Sequence, residues 1–81
     1  MEYTHMNKAQ ENDYQLKTMR ENFKLLRKKR NWSIRELSKI SGISERTLIG
    51  IEGEDDFHVA YLFKLCKLYN IKPHEIFTRS D

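Results

Sequence analysis

Three kinds of side chain could do chemistry in these 81 residues: three histidines, one cysteine and a dense set of charges. His5, His58 and His74 are far apart, and no CxxC, HExxH or phosphate-cradling glycine loop accompanies them. Neither a zinc site nor nucleotide-phosphate binding is therefore expected. Cys66 shares a helical stripe with Leu62, Leu65 and Tyr69, the setting of a small core residue and not of a nucleophile. Trp32 similarly reads as a core plug, with base stacking as the lesser alternative. No catalytic residue, metal or cofactor is expected, and the chain reads as a non-enzyme.

The charges are unevenly distributed behind a net value of +3. Residues 17–40 hold nine bases (Lys17, Arg20, Lys24, Arg27, Lys28, Lys29, Arg30, Arg35, Lys39) against Glu21 and Glu36, while the segments on either side are each net acidic. A basic block implies a polyanionic partner, of which nucleic acid is the commonest; a solvated helix face is the other reading. Composition excludes other classes. No apolar run approaches about eighteen residues, no basic-then-apolar leader is visible, and a single cysteine cannot form a disulfide framework. A cytoplasmic location with no membrane association is the default expectation, and the length suits one domain.

The elements that must position these charges are legible from periodicity. Residues 1–12 are polar and without an apolar stripe, so they are expected to form an extension, disordered unless a partner holds it. Residues 13–81 form the domain. Leu16, Met19, Phe23 and Leu26 recur on one face of a first helix expected from about Asp13 to Asn31, capped by Asn12 or Asp13 and ending in the bases Arg27 to Arg30. In WSIRELSKIS, Ser33 and Glu36 make an S-x-x-E capping box for a short second helix, with Ile34, Leu37 and Ile40 or Ser41 at helical spacing. Gly42 suits a turn that needs positive φ, and Ser44 caps a third helix whose inward residues are Leu48 and Ile51. Gly53 to Phe57 reads as a loop. A fourth helix follows, with Val59 leading into Leu62, Leu65, Cys66 and Tyr69, and Asn70 at its left-handed end. Pro73 opens a last short helix anchored by Ile76 and Phe77. Five helices and no strand make an all-α domain.

From about Met19 to Phe77 this arrangement resembles the lambda-repressor-like (Cro/cI-type, XRE-type) helix-turn-helix regulators. The resemblance rests on Phe23, Leu26 and Arg27, on WSIRELSKISGIS through the turn, on TLIGIEG, and on LFKLCKLYNIKPHEIF at the end. It implies that the second helix points its amino end at a phosphate and that the third lies in the major groove of double-stranded DNA. It also implies an ion pair between Arg27 and Glu52.

On that frame Arg46 faces outward, where its planar fork suits guanine O6 and N7 together. Glu45 either accepts from a cytosine amino group or only stabilises the helix start. Ile49 offers a thymine methyl contact and Gly50 close backbone approach; with Ile34 they depart from the polar residues common in the family, and the three could instead form an apolar patch that meets protein. Ser33 with the N–H groups of Ile34 and its neighbours, Arg35, Lys39 and Ser44 are the expected phosphate contacts. Thr47 either joins them or bonds within its helix. The acids Glu54, Asp55 and Asp56 oppose DNA if they face it, and sharpen orientation or dock a basic partner if they do not.

The expected function is a sequence-specific DNA-binding regulator, a repressor acting as a homodimer on a palindromic operator. The alternative is a protein-interaction module, such as an antitoxin that holds a toxin. Dimer contacts are expected from the last helix or the extension, and no sensory domain is expected.

Overall fold

The computed structural model describes the backbone of residues 8–79 and the side chains of residues 14–79. Nothing between Lys8 and Lys29 breaks a helix: the segment has neither glycine nor proline and is rich in Ala, Gln, Glu, Leu, Lys and Arg. It forms one 22-residue helix, α1, over Lys8–Lys29. The helix therefore starts ahead of the expected Asp13, and Asn12 and Asp13 lie inside it instead of capping it. The segment ahead of Asp13 is rich in helix-forming residues, a signal that an apolar stripe does not reveal. The part of the expected polar extension before Lys8 lies outside the described residues.

The remaining helices follow their caps. The Ser33 hydroxyl accepts from the Glu36 N–H (3.0 Å) and the Glu36 carboxylate accepts from the Ser33 N–H (2.8 Å), opening α2 over Ile34–Ser41. Gly42 ends α2 at φ 78°, a left-handed conformation that costs glycine least. Ser44 opens α3 over Glu45–Glu52, its hydroxyl accepting from the Thr47 N–H. Helix α4 spans Val59–Tyr69 and stops at Asn70, φ 58°. The last element, Pro73–Phe77, is a 3-10 helix and not an α-helix, since five residues are too few for repeated i to i−4 bonding.

The core joins every element: Met19 and Phe23 from α1, Leu37 from α2, Ile43 from the turn, Leu48 and Ile51 from α3, Leu62, Leu65, Cys66 and Tyr69 from α4, and Ile76. Leu26, Trp32 and Ile34 close its edge. Three expected anchors are outside it. Leu16, Val59 and Phe77 are exposed, and in α2 it is Ser41 that turns inward while Ile40 stays in solvent. Leu16 lies one turn before Met19, at the rim of a groove it shares with Glu52, Gly53 and Glu54. No strand occurs among the described residues.

Candidate nucleic-acid interface

Helix α3 is fixed at several points, and its outer face is left open. At its amino end the Ser44 hydroxyl, besides capping, donates to Thr47 Oγ1 (2.9 Å). In the turn before it, the Ser38 hydroxyl donates to the Ile43 carbonyl (2.6 Å) and the Ser41 hydroxyl accepts from the Ile43 N–H (3.1 Å). Both polar groups of a buried turn residue are thus satisfied by side chains. In the middle, Leu48 and Ile51 bury completely against the core.

At the carboxyl end two arginines from α1 take hold. Arg27 meets Glu52 with two parallel bonds, Nε to Oε2 (2.8 Å) and Nη2 to Oε1 (2.9 Å), and its Nη1 donates to the Trp32 carbonyl (2.8 Å). The pair is nearly enclosed, at 12 % and 8 % side-chain exposure. The hydrogen bond to Glu52 raises the Arg27 pKa above its already high value, so the guanidinium stays charged. Arg20 does the neighbouring work: its Nη1 donates to the Gly50 (2.7 Å) and Ile51 (3.1 Å) carbonyls, and its guanidinium lies over the Phe57 ring. A cation beside the last carbonyls of a helix offsets the negative end of its dipole. Sequence reasoning assigned Arg20 only to the basic block. The available signal was its spacing of seven from Arg27, which puts both on one face of α1 on either side of Phe23.

The basic block accordingly divides. Arg20, Arg27 and Arg30 are structural; Arg30 lies over the Trp32 and Tyr69 rings and donates to the Tyr69 carbonyl. Lys28 and Lys29 border a groove between α1 and the 3-10 helix, with Leu25 and Ile71 beside them. Arg35 and Lys39 remain exposed on α2, four residues apart and so on one face.

The expected contact residues fall into three groups. Glu45, Arg46 and Ile49 are exposed on α3, with Ile49 at 58 %. Thr47 is half-buried; with Ser44 donating to it, its own hydroxyl proton is available while that of Ser44 is engaged. At the start of α2 the Ser33 and Glu36 N–H groups are taken up by the capping box, leaving the N–H groups of Ile34 and Arg35. Ile34 packs on the core and Gly50 is buried, so no three-residue apolar patch with Ile49 exists, and open backbone approach at Gly50 is not available.

What covers Gly50 is the acidic loop. The Asp55 N–H donates to the Gly50 carbonyl (3.2 Å), and a Cβ on Gly50 would stand 3.0 Å from Asp55 Cβ and 3.3 Å from its Oδ2. Glu54 and Asp56 instead line a shallow groove with Lys17, Arg20 and Glu21 of α1. The three acids do not act as a block.

Two buried groups are chemically quiet. Burial pushes the Cys66 thiol pKa up, away from the thiolate that reactivity requires. Burial, with Glu52 nearby, pushes Tyr69 up to about 12, while Arg27 and Arg30 oppose the shift. No cluster of His, Cys, Asp and Glu suited to a metal occurs among the described residues, and no described helix is long and apolar enough to cross a membrane.

No curated protein and no solved structure matches the chain. A family profile described as Helix-turn-helix matches residues 23–76, from the core Phe23 to the core Ile76 and through the whole α2-turn-α3 unit. That is more than half of the sequence, and the family is one of DNA-binding regulators whose members are not typically enzymes. The chain belongs to the lambda-repressor-like (XRE-type) helix-turn-helix family.

Proposed function

We propose that the protein is a sequence-specific regulator of transcription that inserts α3 into the major groove of double-stranded DNA and represses by occupying an operator. One observation carries this reading: α3 is immobilised at both ends while Arg46, on its outer face, has no intramolecular partner among the described residues. An arginine held on a rigid helix can grip guanine O6 and N7 with both arms of its fork. Glu45 and Ile49 border it. The Ile34 and Arg35 N–H groups, the Arg35 and Lys39 side chains and the Thr47 hydroxyl supply the phosphate contacts that fix register. Ser33 and Ser44 act mainly by building the two helix starts. The protein works in the cytoplasm as a homodimer on a palindromic site, the half-sites lying about 34 Å apart along the duplex.

Binding to a random duplex pool at several salt concentrations tests the proposal. A selected consensus, with log affinity falling linearly against log salt, is the expected result. A folded protein that holds no duplex at low salt would overturn it. The exposed Ile49, next in the chain to a Gly50 that Asp55 covers, favours one second reading, an antitoxin-like module whose α3 face docks a protein such as a toxin; that reading predicts no duplex selection.

A further inference from the structure

Position 50 is four residues after Arg46, which places it on the same face of α3, one turn further on. It carries no side chain of its own. The space is occupied by Asp55, whose N–H donates to the Gly50 carbonyl and whose Cβ, Cγ and Oδ2 all lie within 3.6 Å of where a Gly50 Cβ would be. The carboxylate thus stands within the reach of a longer side chain rooted at position 50. It is exposed, and no hydrogen bond or ion pair engages it among the described residues.

We propose that Asp55 supplies the base-reading group that Gly50 lacks, accepting a hydrogen bond from the exocyclic amino group of cytosine in the major groove. This inference rests on the proposed DNA reading by α3. A carboxylate only accepts, so it is repelled by guanine O6 and N7 and by thymine O4; adenine offers an amino donor but sets the N7 acceptor beside it. The cytosine amino donor has an acceptor, O6 of its paired guanine, on one side only, whereas adenine N6 is flanked by N7 and by thymine O4. Asp55 is therefore a specificity determinant contributed by the loop. Glu54 and Asp56, turned toward α1, have no such role.

Selection from a random duplex pool, run in parallel on the wild-type protein and on Asp55→Asn, Gly50→Ala and Glu54→Gln variants, tests this. The expected result is a cytosine preference at one position of the wild-type consensus that Asp55→Asn moves toward adenine by about 10-fold, because an amide pairs with adenine N6 and N7. Gly50→Ala, whose methyl displaces the same carboxylate, should weaken preference at that position and no other, and Glu54→Gln should leave the consensus unchanged. Equal strengthening of all duplexes by Asp55→Asn and Glu54→Gln, with base preferences intact, would overturn the proposal and leave DNA reading standing. Absence of any duplex selection by folded wild-type protein would overturn both.

Discussion

Arg46 and Lys39 are both exposed cations on adjacent helices, yet their expected roles differ in a measurable way. Arg46→Ala should relax preference at one base pair by about 1–3 kcal/mol, read as the ratio of affinities for consensus and single-substitution duplexes. Lys39→Ala should weaken every duplex alike and reduce the salt slope by about 1. A uniform loss for Arg46→Ala would reassign it to a phosphate. Arg27 and Glu52 pose a different problem, since each is enclosed and depends on the other. Removing either alone should cost about 3–5 kcal/mol in denaturant unfolding, because a charge is left buried without its partner. The double variant Arg27→Met with Glu52→Leu should cost much less than the sum of the two single changes, and simple additivity would show that the pair does not act as a unit.

At the scale of elements, the orientation of α3 depends on α1 as much as on the turn before it. The turn sets where α3 begins, through Gly42 and the Ser44 cap; Arg20 and Arg27 set where it ends. Arg20→Ala strips a charged donor from two carbonyls and should destabilise the fold by about 1.5–3 kcal/mol. It should also lower affinity for the consensus duplex without changing the order of base preferences, since no base-facing side chain is altered. A changed consensus would mean that Arg20 itself reaches DNA. The Ser33–Glu36 capping box, the Ser44 cap, the glycine turn and most inward residues of α2 to α4 were legible in the sequence because each is set within a few residues of chain. The amino end of α1 was not, because residues 8–12 are mostly helix formers without apolar periodicity. The 3-10 character of the last element was also hidden, because Pro73 suits the start of either helix type.

For the whole molecule, Tyr69 links stability to pH. It touches α1 through Phe23, the α1–α2 junction through Trp32 and the basic block through Arg30. Its hydroxyl is pushed up to about 12 by burial, so as pH rises the unfolded chain releases that proton before the folded one. The associated stabilisation is whole below pH about 10 and is lost as pH climbs toward about 12, amounting to about 3 kcal/mol. Urea unfolding between these values should show a steeper fall for the wild type than for Tyr69→Phe, which lacks the group. Parallel curves would mean that the folded state admits the phenolate.

The all-helical architecture, the helix-turn-helix unit and most of the core follow from the chain alone, because caps, a positive-φ glycine and apolar periodicity are local or periodic signals. The sequence also placed Arg46, Glu45 and Ile49 on an outer face of α3. Which charges stay free depends on packing between elements. Nine bases look alike along the chain, but Arg20, Arg27 and Arg30 are drawn into carbonyls, a carboxylate and the Tyr69 ring by neighbours far away in sequence. The acids divide for the same reason: Asp55 folds back over Gly50, where no side chain competes for the space, while Glu54 and Asp56 face α1. Charge is a property of residues; its direction is set by long-range packing.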